Sequence, residues 1–184
     1  MTRTRTLYLI GCAAPPLDRI DTGVRLAREA GWEVCVLLTP AAREWVGDPW
    51  ELEARAGCPV RWEYGGEEDP LPAPDALLAA PLTVNSLAKW ACAMCDNRAL
   101  LALTEGLGRG LPVVALPYFN DALAAHPAVG RHAAFLRDAG ARVLLGEGGF
   151  VPHRPRQDDV AAYPWQAAVD ALPAPHGGRP GAPH

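Results

Sequence analysis

Two hydrophobic periods alternate along this chain. Short apolar-rich runs occur at residues 6–12 (TLYLIGC), 33–39 (EVCVLLT), 59–64 (PVRWEY), 75–81 (DALLAAP), 111–117 (LPVVALP) and 141–146 (ARVLLG). Each has the length of a buried strand. Helix-period segments separate them. In residues 18–31, Ile20, Val24, Leu26 and Ala27 recur at helical spacing, and Gly31 is placed to end the helix. Pro40 stands where the first turn of the next helix tolerates proline. Residues 49–57 predict another short helix, 85–108 a mostly helical stretch, and 120–140 a helix broken near Pro127. Residues 65–74 read as a Gly/Pro loop.

Strands and helices in this alternation predict an α/β fold: a single Rossmann-like three-layer domain around a mostly parallel six-stranded sheet. The domain is expected to span residues 1–172 and to close with a docking helix within 163–172. Residues 173–184 (PAPHGGRPGAPH) read as a disordered tail.

The totals narrow the picture. A chain of 184 residues that is 49% hydrophobic suits one well-packed domain. A net charge of −4, with arginines scattered and Lys89 the only lysine, argues against a nucleic-acid partner. Leu9–Cys12 mimics a lipoprotein cleavage site, but the apolar run before Cys12 is too short for a signal peptide. No run is long enough for a membrane span, so the cytoplasm is the expected compartment. The five histidines show no ligand-spaced pair, and no metal site is expected.

Ligands in such folds lie beyond the carboxyl ends of the strands. Four segments fall there. Gly11, Cys12, Ala13 and Ala14 form the first, without the G-x-G-x-x-G of a dinucleotide site. Backbone N–H groups in such a turn can hold a phosphate, although Pro15 and Pro16 remove two donors. Thr39 is the second and reads as a helix cap or a phosphate contact. The third is Pro81–Ser86, where Asn85 and Ser86 are natural N-caps or ligand contacts. The fourth is Asn120 beside Tyr118 and Phe119, an amide and aromatics suited to a flat polar ligand, with capping by Asn120 or Asp121 as the alternative. Cys92 and Cys95 form a Cys-x-x-C. They are expected inside a helix, unlike thioredoxin-type pairs, and they lack the partners of a zinc site. Cys92 reads as a small buried helix residue.

Together these segments resemble the homo-oligomeric flavin-containing cysteine decarboxylase family, and more closely still its actinobacterial members known simply as flavoprotein. The family's Pro-Ala-Ser-Ala-Asn-Thr motif is matched by Pro81, Thr83, Asn85 and Ser86 in PLTVNS. Its following Lys and Gly-x-Cys-Asp-Asn run is matched by Lys89 and AMCDN (93–97), with Ala93 in place of glycine. Its Pro-x-Met-Asn segment is matched by Pro117 and Asn120, with Phe119 for the methionine, Leu123-Ala124 for Met-Trp, and His126-Pro127 retained. The similarity covers residues 6–146.

The resemblance implies FMN. It implies a phosphate near Gly11, Cys12, Ala13, Ala14 and Thr39. The flavin ring would meet Pro81, Leu82, Thr83, Asn85, Ser86 and the segment around Asn120, and Asp96 and Asn97 would join the cofactor-binding set. It further implies a homo-oligomer, trimer or dodecamer, with the flavin at a subunit boundary. The implied reaction is oxidative decarboxylation of a C-terminal cysteine in a peptide, or a related flavin-dependent reaction on a peptide or small molecule in secondary metabolism. The alternative is a flavin-fold binding or regulatory protein without that activity. The family's decarboxylases carry a histidine base shortly before the fourth strand, and this chain has no histidine before His126. An ungapped count places Glu67 there, so Glu67 and His126 are the candidate bases, with Asn120 orienting the substrate. No cysteine follows Cys95, which argues against the pantothenate-pathway decarboxylases and their flap cysteine.

Overall fold

The computed structural model describes residues 4–63, 70–157 and 159–174. Its centre is one six-stranded sheet, parallel at every pairing. The strands are β1 (Thr6–Gly11), β2 (Glu33–Leu38), β3 (Val60–Arg61), β4 (Ala76–Leu82), β5 (Val113–Pro117) and β6 (Arg142–Val143). They lie in the order β3-β2-β1-β4-β5-β6. The helices are α1 (Ile20–Glu29), α2 (Pro40–Val46), α3 (Pro49–Ala56), α4 (Val84–Ala91), α5 (Arg98–Gly108), α6 (Asp121–Ala124), α7 (Pro127–Asp138) and α8 (Trp165–Asp170).

The central strands are apolar throughout because helices cover both their faces. Successive residues alternate between two cores. Leu7, Leu9, Val36, Leu78 and Leu116 pack with Val24, Leu52 and Trp165 on one side. Tyr8, Ile10, Leu37, Leu77 and Ala115 pack with Leu87, Leu103 and Leu136 on the other. The chain winds from β1 out to β3 and then crosses back to β4. The winding direction therefore reverses between β1 and β4, and a crevice opens beyond their carboxyl ends. Backbone bonds frame it: Cys12 N–H donates to the Pro81 carbonyl at 3.0 Å, and Tyr118 N–H donates to the Leu82 carbonyl at 2.9 Å.

Several expectations needed correction. The two edge strands are only two residues each, shorter than the runs at 59–64 and 141–146. An edge strand pairs on one side only, so apolar residues beyond that short ladder pack without strand geometry. The stretch 85–108 is two helices, not one. A turn from Cys92 to Asn97 separates α4 from α5. Cys92 and Cys95 are exposed in that turn, so Cys92 is not a buried helix residue. Ala93 follows the α4 C-cap with φ +54°, the left-handed conformation usual for glycine. The expected break near Pro127 is present between α6 and α7, and the expected docking helix is α8, with Trp165, Ala168 and Val169 buried. The tail from residue 175 onward, and the 64–69 part of the loop before β4, lie outside the described residues. Among the described residues no helix is long and apolar enough to cross a membrane, and no cluster of His, Cys, Asp or Glu could hold a metal.

Two substitutions test this packing. A Cβ on Gly23 of α1 would come within 2.7 Å of the Trp165 ring of α8. Gly23→Ala should therefore lower stability by about 1–2 kcal/mol despite alanine's better helix propensity. Thermal melting should show a fall of about 2–8 °C, and a rise would mean that α8 does not dock here. Ala93→Gly should do the opposite. Relief of about 1–2 kcal/mol in the left-handed conformation outweighs the added unfolded-state freedom of about 0.4–1 kcal/mol, so the urea midpoint should rise.

Candidate functional site

The crevice beyond β1 and β4 is a cleft of about 410 Å³. Ala13, Ala14, Pro15, Thr83 and Val84 form one wall, and Tyr118, Phe119, Asn120, Leu123 and His153 the other.

The first wall is built from a turn and a helix start. The residues after β1 bend at once into a 3-10 turn (Pro15–Arg19) whose first two residues are the prolines. Those prolines sit where a helical turn leaves N–H groups unpaired in any case, so little is lost there. Ahead of them, the N–H groups of Ala13 and Ala14 take no acceptor among the described residues. Gly11 has a packing role. A Cβ there would strike Leu17 Cδ1 at 2.7 Å and Ile20 Cδ1 at 2.9 Å. Thr39 is tied to this turn, its N–H donating to the Gly11 carbonyl at 3.1 Å. Its hydroxyl is buried and caps α2 by accepting from Ala42 N–H at 3.3 Å, so Thr39 does not line the cleft.

α4 starts at the cleft. Its N-cap is Thr83, not Asn85 or Ser86 as the sequence suggested. The Thr83 hydroxyl accepts from Ser86 N–H at 3.2 Å and donates to Ser86 Oγ at 3.1 Å. Thr83 is the residue with extended backbone directly after the strand, which the N-cap position requires. Asn85, in the first turn, is exposed and relieved of capping. Ser86 is buried beside Cys12, whose thiol meets both hydroxyls. Burial pushes the Cys12 thiol up, outweighing those hydrogen bonds, so it stays protonated. Pro81 and Leu82 are buried in the strand and bring backbone carbonyls, not side chains, to the crevice.

The second wall depends on a distant segment. After β6 the chain folds back over the strand ends. Asn120 and His153 form an isolated parallel bridge, and Asp121 N–H donates to the His153 carbonyl at 2.8 Å. Aromatic contacts hold the segment: Tyr118 meets Phe150 at 5.1 Å, His153 at 5.2 Å and Tyr163 at 5.6 Å. Tyr163 Oη donates to the Leu116 carbonyl at 2.7 Å, and burial raises its pKa well above the usual range. Asn120 caps α6, its Oδ1 accepting from Leu123 N–H at 2.9 Å. Its Nδ2 is left to donate elsewhere.

Not all candidates meet here. His126 is exposed and caps α7, Nδ1 accepting from Ala128 N–H at 3.2 Å. It is absent from the cleft lining. Asp96 and Asn97 lie beyond the far end of α4, about 12 Å along its axis from the cleft. Asp96 pairs with Lys89 at 2.5 Å, a hydrogen bond that lowers its pKa, and Asn97 caps α5. Glu67 lies outside the described residues. His153 carries no local sequence signal, since it forms no ligand-spaced pair with another histidine. Only the fold-back across 32 intervening residues sets it against Asn120.

Comparisons with known proteins agree with this architecture. The FMN-dependent cysteine decarboxylase SpaF superposes with a TM-score of 0.67 at 25% identity, covering 91% of this chain and 97% of its own. TvaF, an FMN-dependent cysteine decarboxylase from thioviridamide biosynthesis, gives 0.61 at 25% identity, covering 77% and 90%. The epidermin biosynthesis protein EpiD from Staphylococcus aureus gives 0.60 at 20% identity, covering 76% and 81%, a likeness of fold. No curated protein sequence matches the chain. The family model described as Flavoprotein matches residues 24–172, which run from within α1 through α8 and include most of the cleft lining, and the chain belongs to that family.

Proposed function

We propose that this protein binds FMN in the cleft and oxidatively decarboxylates the C-terminal cysteine of a peptide, acting in the cytoplasm on a secondary-metabolite precursor. The observation that carries this reading is the pairing of two unlike walls across one crevice. The unpaired N–H groups of Ala13 and Ala14 and the first turn of α4 present positive dipole ends suited to a phosphate. Facing them, Tyr118, Phe119 and Asn120 offer apolar surface and an amide, as a flat heteroaromatic ring requires. The volume, about 410 Å³, falls in the usual range of small-ligand sites. The residues present thus fit the cofactor.

When bound, FMN supplies a two-electron acceptor. The chain supplies position. The α4 start and the Ala13-Ala14 turn fix one end of the cofactor. Asn120 Nδ2 orients the substrate, its Oδ1 being held by the α6 cap. Asp96 and Asn97, exposed or partly so at the far end of α4, face outward in a single chain. In a homo-oligomer, trimer or dodecamer, they would act across a subunit boundary. A flavin-binding protein without decarboxylase activity is the second reading, favoured by the absence of any histidine before β4.

Purified protein mixed with FMN should turn yellow and hold about one flavin per chain. Incubation with peptides ending in cysteine should yield products lighter by CO2 and two hydrogens in mass spectra. Asn120→Asp keeps a capping oxygen but loses the donor, and should lower turnover about 10- to 100-fold, as loss of one strong hydrogen bond does. A colourless protein that takes up no FMN would sink the flavin assignment. Yellow protein that leaves every peptide intact would leave only the binding reading.

A further inference from the structure

The five cysteines divide into two kinds. Cys12, Cys35 and Cys58 are buried, whereas Cys92 and Cys95 are exposed. Burial raises the Cys12 thiol and pushes those of Cys35 and Cys58 up to about 11, so all three stay protonated and unreactive near neutrality. The exposed pair is the Cys-x-x-C between α4 and α5. The sequence places it inside a helix, but residues 92–96 are exposed throughout. None of the five belongs to either core.

The turn holds both thiols in one small loop. Cys92 is the C-cap of α4, its N–H donating to the Ala88 and Lys89 carbonyls at 3.1 and 3.2 Å. Met94 N–H reaches back to the Lys89 carbonyl at 2.9 Å. The Lys89 ammonium in turn holds the Asp96 carboxylate at 2.5 Å. The chain is thus fastened to Lys89 on either side of Cys95. Cys95 Sγ donates to the Ala93 carbonyl at 3.5 Å, so this thiol folds back toward the residue next to Cys92. Three residues of extended chain span about 10 Å at most, and left-handed Ala93, at φ +54°, keeps this stretch from that limit. A disulfide needs α-carbons about 4.4–6.8 Å apart. The adjustment that closure requires falls on exposed turn residues and breaks no core contact.

We propose that Cys92 and Cys95 are a reversible dithiol site: they exchange with low-molecular-weight disulfides and close into an intramolecular disulfide. One cysteine thiolate attacks a sulfur of the external disulfide, whose S–S bond breaks and releases one thiolate. The second cysteine thiolate attacks the mixed disulfide, forms the Cys92–Cys95 bond and releases the other. The two cysteines give up two protons and two electrons, and the external disulfide gains both as two thiols. Exposed disulfides are the labile kind, and in reducing compartments such pairs are usually transient or redox-sensing. The site stands apart from the cleft and does not rest on the flavin reading.

The full chain, folded and reduced, should take up two iodoacetamide groups, which peptide mapping places on Cys92 and Cys95. The three buried cysteines should react only after unfolding. Equilibrated with oxidised glutathione, the chain should become lighter by two hydrogens and remain a single chain. A non-reduced digest should join the Cys92 and Cys95 peptides, and excess reduced glutathione should reverse the change. Cys92→Ser and Cys95→Ser lie on the surface and should melt as the wild type does. Each should stop at a mixed disulfide carrying one glutathionyl group. The proposal is overturned if neither exposed thiol is alkylated in the folded chain. It is equally overturned if the wild type stops at mixed disulfides, or if it crosslinks only between chains.

Discussion

Parallel pairing of β1 with β4 is the constraint from which the rest follows. Two strands separated by some 65 residues of chain lie side by side, and the chain must leave β1 in one direction and β4 in the other. The crevice at that divergence is a by-product of winding, not of any special residue. What it becomes depends on the first residues past each strand. Cys12 N–H on the Pro81 carbonyl fixes the two turns against each other, which puts the unpaired N–H groups of Ala13 and Ala14 near the start of α4.

The sheet itself was legible because burial on both faces leaves unbroken apolar runs, and four of the six strands match those runs closely. The edges were less so. At residues 59–64 and 141–146 the apolar residues continue beyond a two-residue ladder, and composition does not distinguish pairing from mere burial. The turn at Cys92–Asn97 is hidden for a similar reason. Its residues are compatible with a helix, and just past the α4 C-cap Ala93 takes a left-handed conformation that alanine rarely signals.

The site was legible in half. Strand ends and small polar residues marked the wall formed by Ala13, Ala14 and Thr83, and the motif around Asn120 marked one edge of the other. Even there, hydroxyl chemistry at Thr83 rather than Asn85 or Ser86 was decided by which residue has extended backbone at the helix entrance. His153 was not legible. Its place comes from a bridge to Asn120 and a stack of rings drawn from residues 118 to 165, and no local pattern encodes such an assembly.

That stack carries a consequence for how the protein comes into being. Tyr163 seals the end of β5 through the Leu116 carbonyl, and Trp165 fills the hollow over Gly23. During synthesis β6 leaves the ribosome before Tyr163 and Trp165, so the rings that back Tyr118 and Phe150 arrive after the six strands of the sheet. A nascent chain would thus pass through a stage with a nearly complete sheet whose second cleft wall still lacks its aromatic backing.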